Sequence, residues 1–467
     1  MGWENCLVFL KHPNEKSSNI RMNFPQTSEL GKFCYFCTHN LRDMGKYKKR
    51  IADDLLERKL KGKGAVLIEG PKWCGKTTTA EQQAASVLYM GNTDDLEQNL
   101  RMANINSKML LDGASPRLID EWQVAPQLWD AVRFAVDHRE GHGLFILTGS
   151  AVPPNTDKIL HTGTGRFAWL TMRTMSLWES GESNGMVSLR ELFSAPEQIE
   201  GKNGLELKDL AFLTCRGGWP DATLTDGDIA LDQAFDYVDA IVNTDISRVD
   251  GVKRQAERTR LLLRSFARHQ GSGAPIRSFR NDMIVNDTDK LDEETVASYI
   301  NALKKIFVIE DMPAWNPNLR SKSAIRTSDT RYFVDPSIAT AALGASPDDL
   351  IADLNTFGLL FETLCVRDLR VFAEALQGQV YHFRDSNGLE CDAVVHLRNG
   401  SFGLVEIKLG GDDLIEEGAK TLKSLASKID TTRMKEPSFL MVLTGTTSYA
   451  YRREDGIYVV PIGCLKD

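Results

Sequence analysis

Apolar residues in this chain fall into short runs, each closed by glycine or by a polar cluster. Ala65, Val66, Leu67 and Ile68 make a run of strand type, and Thr77 to Ala85 reads as a helix just after it. Upstream, Tyr47 to Leu60 sets Ile51, Leu55 and Leu56 on one helical face and basic residues on the other, before Gly62 and Gly64 end it. Pro116 to Trp122 and Gly143 to Ser150 each hold a short buried-strand pattern. Strands alternating with helices predict an α/β fold with a parallel sheet.

The second half is patterned differently. Glu257 to His269 and Asp292 to Ile306 are apolar-periodic helices, followed by strand-like Phe307–Glu310 and Tyr332–Val334. Phe357 to Leu376 is a longer helix. Val380–Arg384 then reads as a strand, and Glu390–Leu397 with Phe402–Lys408 as a hairpin around Arg398-Asn399-Gly400.

Length and charge narrow the class. At 467 residues the chain exceeds one core, so about two to four domains are expected. No apolar run approaches the ~20 residues that span a bilayer. Met1 to Leu10 shows no basic region followed by a long apolar stretch, so no secretory signal is read. A net charge of −8 excludes a protein basic all over, while leaving room for a local basic patch. Eight scattered cysteines suit a reducing cytoplasm better than a disulfide framework. Cys34 and Cys37, with His39, Cys6 and His12 near, could bite one zinc, but a second closely spaced pair is missing and free thiols are the plainer reading. The globular pattern begins at Met44, so residues 1–43 read as a poorly ordered extension.

The chemistry centres on Gly70-Pro71-Lys72-Trp73-Cys74-Gly75-Lys76-Thr77, which matches G-x-x-x-x-G-K-[ST]. A strand, a glycine-flanked loop and a helix start make an anion site from inward amides and the helix dipole. Lys76 is expected to reach the outer phosphates of ATP. Thr77 would hold Mg²⁺ through its hydroxyl, and Thr78 would add to the cradle. Cys74, inside the loop, is expected to be open to thiol reagents that ATP would block. Asp120 and Glu121 end a short strand; Asp120 would hold Mg²⁺ through water and Glu121 would orient the attacking water. Thr148 or Ser150 is placed to meet the terminal phosphate or that water. An arginine can steady charge on the transferring phosphoryl group, and Arg166, flanked by glycines, is preferred over Arg173. Each of these has a plainer alternative: a chance turn, a solvated acidic strand end, a surface arginine.

The order of this loop, Leu118-Ile119-Asp120-Glu121, Leu147-Thr148-Gly149-Ser150, Gly165-Arg166-Phe167 and Met172-Arg173-Thr174-Met175-Ser176-Leu177-Trp178-Glu179 resembles a large prokaryotic family of AAA-type ATPases. In that family a C-terminal domain of unknown function follows the ATPase. Gly217-Gly218-Trp219-Pro220 is similar to the turn the family carries after its core, and Thr174 stands where proline is usual. The resemblance implies a P-loop domain over 44–205, a helical lid or linker over 206–250, a middle domain over 251–346 and a C-terminal domain over 347–467. It leaves open an oligomer, with an arginine offered from a neighbouring subunit.

Helices followed by a two-stranded hairpin look like a winged helix-turn-helix, which would make DNA a partner. Lys253, Arg254, Arg258, Arg260, Arg264, Arg268, Arg277 and Arg280 form the most basic stretch. The alternative is a helix bundle used only for packing. In the last domain, register decides the chemistry. A two-residue turn would put Asp392 and Glu406 on opposite faces; a three-residue loop with Gly400 left-handed puts Asp392 opposite Glu406, with Lys408 on the same face. That arrangement, with Glu362 on the preceding helix, is similar to the PD-(D/E)XK nuclease superfamily. The resemblance implies a restriction-endonuclease-like α/β domain in which Glu362, Asp392 and Glu406 bind metal and Lys408 stands by the attacking water. Cys391 replaces the motif's proline. Two functions follow: an ATP-driven machine acting on DNA, or a nucleotide-dependent switch whose last domain only docks a protein or DNA partner.

Overall fold

The computed structural model describes residues 47–150, 163–284, 291–317 and 328–467. The cysteines and histidines between 6 and 39 lie outside the described residues, as do most of the polar loop from Asn316 to Ser328 and the extension over 1–43. Lys48–Asp467 makes up the unit described below.

Its first body is a parallel sheet. Helix α1 (Ile51–Gly62) precedes β1 (Ala65–Glu69), the loop, α2 (Lys76–Glu81) and β2 (Ser86–Tyr89). Then come α3 (Leu96–Asn106), β3 (Arg117–Asp120), α4 (Leu128–His138), β4 (Phe145–Gly149) and β5 (Phe167–Thr171). The strand order is β2-β3-β4-β1-β5, all parallel. Alternation along the strands explains why both faces are covered. Val66 and Ile68 pack with Leu118, Ile146 and α1's Leu56 and Leu60 on one side. Ala65 and Leu67 pack with Ile119, Leu147 and α4's Leu128 and Val132 on the other. α2 is shorter than the periodicity predicts, because Ala85 N already donates to Pro116 O at 2.8 Å and draws the chain into β2.

The second body is larger, with one apolar cluster that joins its helices to one face of its sheet and another under the helix Asp412–Lys428 on the other face. It contains β6 (Gly201–Lys202), α5 (Leu207–Arg216), α6 (Asp228–Ala240), a π-helical turn (Ile241–Asp245), α7 (Ala256–Arg268), α8 (Ile276–Ile284), α9 (Glu293–Lys305) and α10 (Pro336–Leu343). These are followed by α11 (Leu354–Ala375), β7 (Gly378–Arg384), β8 (Glu390–Leu397), β9 (Phe402–Lys408), α12 (Asp412–Lys428), β10 (Phe439–Thr444), β11 (Tyr449–Arg452) and β12 (Tyr458–Pro461). The sheet order is β6-β11-β12-β10-β9-β8-β7. One apolar cluster runs from Leu177 through Phe266 of α7 and Phe361 of α11 to Leu465, so the middle helices and the last sheet are not separate cores. Of the stretch 187–202, placed by sequence in the first domain, Gly201 lies opposite Ala450 in this sheet, while Val187 lies opposite Leu465 in a separate two-stranded parallel pair. Strand-like Phe307–Glu310 forms no full strand; single antiparallel bridges join Ile309 to Phe333 and Met312 to Thr330.

The two bodies meet at a buried carboxylate. Asp335, fully buried, accepts from Thr174 Oγ1 at 2.6 Å, Gly218 N at 3.0 Å, Ser337 Oγ at 2.6 Å and Arg367 Nη1 at 3.1 Å. A Cβ on Gly218 would sit 2.1 Å from Met175 O, so that close approach admits only glycine. Burial opposes ionisation of Asp335, yet Arg367 and the hydroxyls hold its carboxyl below the usual range. Removing that charge would leave buried Arg367 with Asp368 as its one remaining carboxylate and weaken the acceptor for Thr174, Ser337 and Gly218. Asp335→Asn is therefore expected to cost about 3–5 kcal/mol, read as a lower urea midpoint at unchanged slope; a loss under about 1 kcal/mol would show the junction is not held by this pair.

Candidate functional site

The loop stands between β1 and α2, at the carboxyl end of β1, which is flanked by β4 and β5. Gly70 has φ +153, and a Cβ there would meet Met172 O at 2.0 Å, so the turn out of β1 needs glycine. Trp73 adopts φ +65 and stays half exposed, its ring 5.6 Å from Tyr237 of α6. Lys72 Nζ pairs with Asp245 Oδ1 at 2.6 Å. Lys76 is buried; its ammonium donates to Gly70 O at 3.0 Å and Pro71 O at 2.6 Å, under the loop. Pro71 is buried beside it, and Thr78 is exposed on the first turn of α2.

The acidic strand end faces this loop. Thr77 Oγ1 donates to Asp120 Oδ1 at 2.6 Å, and so does Thr148 Oγ1 at 2.6 Å. Glu121 has φ +55 and ψ +45, a left-handed backbone that a residue with a Cβ seldom adopts. Its N–H reaches Thr148 Oγ1 at 3.3 Å; Ser150 Oγ and the Gln123 amide donate to its carboxylate. Burial, then the charge of Asp120, raises the Glu121 carboxyl above its ordinary range.

Two expected participants lie elsewhere. Arg166 does not reach the loop within the chain: it precedes β5, and its carbonyl accepts from Ala65 N at the amino end of β1. Its exposed guanidinium pairs with Asp137 at 2.8 Å. A role from within the same chain is thereby corrected, since the loop follows the opposite end of β1. Arg173 sits nearer but is bound to Glu310 at 2.6 Å and Glu374 at 3.2 Å. Cys74 is fully buried, with Sγ on Met172 O at 3.4 Å, so it faces the sheet rather than a reagent in solvent. That corrects the expectation of ready modification.

Sequence reasoning missed Arg50. Its buried guanidinium donates to Cys74 O and Arg173 O, both at 2.9 Å, and pairs with Glu179 Oε1 at 3.1 Å. It braces the loop from behind. Nothing local marks it, because it ends a run of basic residues and Glu179 is 129 positions away.

A second constellation lies on the last sheet. Phe402 pairs with His396 and Val405 with Ala393, a register that carries Asp392 opposite Glu406. The hairpin closes by the three-residue loop, with Leu397 N on Ser401 O at 2.8 Å and Gly400 N on Leu397 O at 2.9 Å. Lys408 Nζ lies 2.9 Å from Glu406 Oε2 and 3.5 Å from Asp392 Oδ2. Asp392 Oδ2 also accepts from Ile407 N at 2.7 Å. From α11, Glu362 Oε1 accepts from Tyr332 Oη at 2.5 Å. A cleft of about 360 Å³ opens here, lined by His269, Ser272, Tyr332, Glu362, His382 and Asp392 among others. His382 bonds to Ser328 O, and His396 stacks on Phe402. Among the described residues no group of three or more His, Cys, Asp or Glu side chains is arranged around a cation position. The Lys408 ammonium stands between two of the carboxylates instead. Glu406 Oε1 is buried without a hydrogen-bond partner.

Burial, then the charge of Asp392, pushes Glu362 and Glu406 up to about 8. A carboxyl whose folded pKa lies above its unfolded value adds stability below the unfolded value and loses it as pH rises through the folded one. This cluster is therefore expected to weaken the fold progressively from pH 4.5 to about 8. Glu362→Gln keeps an acceptor for Tyr332 and removes the ionisation. Its melting temperature should gain on the parent as pH rises from about 5 to about 8; a pH-independent difference would refute the assignment.

With the geometry in place, the chain can be set beside known proteins. Residues 62–180 match a family described as an AAA domain. Residues 207–349 match a domain of unknown function (DUF8612), and residues 357–465 another (DUF4143). The uncharacterized proteins Rv2008c of Mycobacterium tuberculosis and Mb2031c of Mycobacterium bovis are each 24% identical over 364 residues, covering 77% of this chain and 74% of each relative. Among solved structures, the Walker-type ATPase PABY2304 of Pyrococcus abyssi aligns at 14% identity and a TM-score of 0.39, over 64% of this chain and 97% of that one. The Orc1 protein of Aeropyrum pernix, solved with DNA, aligns at 14% identity and a TM-score of 0.20, over 65% of this chain and 92% of that one. Among the described residues no helix is long and apolar enough to cross a membrane. The phosphate loop, its strand and helix, and the acidic strand end all fall inside the matched stretch, and on that ground this chain carries an AAA-type P-loop domain over residues 62–180.

Proposed function

We propose that this chain binds ATP with Mg²⁺ at Gly70–Thr77 and hydrolyses it. The observation that carries the reading is the convergence of Thr77 and Thr148 on Asp120, with Glu121 next to it in a strained backbone. A hydroxyl and a carboxylate 2.6 Å apart are hard oxygen donors of the kind Mg²⁺ takes. Thr77 and Asp120 would hold the ion, which when bound neutralises charge on the phosphates. Lys76 leaves two backbone carbonyls to meet the β- and γ-phosphates. Glu121, held by Ser150 and Gln123 with its pKa raised, turns and deprotonates the attacking water. Arg166, exposed and far from its own loop, suits a contribution to a neighbouring subunit's site.

A second reading concerns the output. Helices α7, α8 and α9 followed by the paired segments 309–312 and 330–333 support a winged-helix module, and the hairpin register supports a nuclease-like site. Two observations favour docking over cutting. Lys408 stands where a cation would bridge Asp392 and Glu406. Also, α9 begins with exposed Asp292, Glu293 and Glu294, which would face phosphates with like charge. Of the basic stretch, Arg254, Arg260 and Arg268 are paired with Asp250, Asp239 and Asp282. We read the last domain as a nucleotide-switched binding module for a protein or DNA partner.

Lys76→Ala should abolish uptake of labelled ATP, while Glu121→Gln should keep binding and lose about 10²-fold or more in kcat. Full hydrolysis by Glu121→Gln would remove the base from that residue. For the output, DNA incubated with the parent and Mg²⁺ or Mn²⁺ should stay uncut; cleavage that disappears in Glu406→Ala would restore the nuclease reading.

A further inference from the structure

The inference rests on the ATP reading and concerns a residue that the loop's consensus does not require. Lys72 occupies a variable position, and its ammonium is not free. It lies 2.6 Å from Asp245 Oδ1, and the Asp245 side chain is 10% exposed. Asp245 is the last residue of the π-helical turn Ile241–Asp245 that follows α6 and runs on into the short helix Ile246–Arg248. Such turns carry an extra residue and occur mostly where a helix serves a site. The next loop residue, Trp73, contacts Tyr237 one helical stretch earlier, and Tyr237 in turn lies 4.2 Å from Trp219.

The loop thus has two arms with different anchors. The inner arm, Cys74 and Lys76, is buried and tied to its own domain through Met172 O, Arg50 and the loop carbonyls. The outer arm, Lys72 and Trp73, is partly exposed and tied to the helical body. The inner arm supplies what any nucleotide with a β-phosphate needs. A third phosphate brings added negative charge to the mouth of the loop, on the side where a lysine's long stem can swing. Against that charge the single carboxylate of Asp245 is the weaker partner, while a diphosphate leaves the Asp245 pair undisturbed.

We propose that Lys72 discriminates a nucleoside triphosphate from a diphosphate by exchanging Asp245 for the terminal phosphate. The exchange leaves Asp245 without its cation in a nearly buried place, which loosens the π-helical turn and passes the state of the loop to α6. Tyr237 and Trp73 keep the two segments in register while it happens.

The test uses the full chain with Mg²⁺, the non-hydrolysable imidodiphosphate analogue of ATP, and ADP. Lys72→Met, a change at a partly exposed side chain, should weaken the triphosphate analogue about tenfold and ADP less than about twofold, since one charge-assisted contact is lost. Asp245→Asn frees Lys72 and should tighten the analogue by about threefold or more, again with ADP nearly unchanged. Hydrogen exchange over residues 237–246 should speed up with the analogue and not with ADP in the parent, and show no difference between the two in Asp245→Asn. Equal shifts for both nucleotides, or none, in both variants would overturn the exchange and leave the ATP site standing. A parent that binds neither nucleotide would overturn the ATP reading and this inference together.

Discussion

The carboxylate of Asp335 is where the architecture is decided. It sits outside water and takes hydrogen bonds from Thr174 after β5, from Gly218 after α5, from Ser337 at the start of α10, and from Arg367 in the middle of α11. Arg367 in turn reaches Asp368, which accepts from Leu177 N. A buried charge is tolerated only when every lone pair is used. Four chain segments must therefore arrive together or not at all. This couples the parallel sheet to the helical body, and it gives the turn Gly217-Gly218-Trp219-Pro220 its purpose.

The same logic is repeated at the phosphate loop on a smaller scale. Arg50 supports the loop from behind and reaches both Cys74 and Arg173 by their carbonyls. Arg173 then spends its own charge on Glu310 and Glu374, in the middle segment and on α11. A loop that must hold charged phosphates is thus mounted on a chain of cations that extends into the other body. The mounting is asymmetric, since Lys72 and Trp73 reach the π-helical turn and α6 while Lys76 is held by the loop's own carbonyls, and asymmetry is what lets one part of the loop move while another stays.

Much of the first body was legible in the sequence. Four apolar residues, a glycine-bounded loop and a helix start imply local geometry that backbone sterics enforce at short range, and the acidic strand end follows the same rule. The hairpin in the last sheet was half legible. Alternation showed two strands, while the turn sequence Asn399-Gly400 allowed two registers with opposite chemistry. The observed loop includes Arg398, and the side chains of Asp392, Glu406 and Lys408 share a face because of that one residue. Arg166 was misplaced for a related reason: glycines beside an arginine speak of local freedom, but not of which end of a strand they occupy.

What the residues determined by themselves were the elements with short-range causes: strand, loop, helix, and the identity of the groups able to meet phosphate. Only the tertiary structure decided which cations are free. Lys72 is matched by Asp245, Arg173 by Glu310, and Lys408 by the two carboxylates that flank it. Gly201 and Val187 likewise pair with the end of the chain, at Ala450 and Leu465, and not with the first sheet. Pairing of this kind depends on distance through space, and residues 137 or 173 positions apart share no local sterics that a reading of the chain could follow.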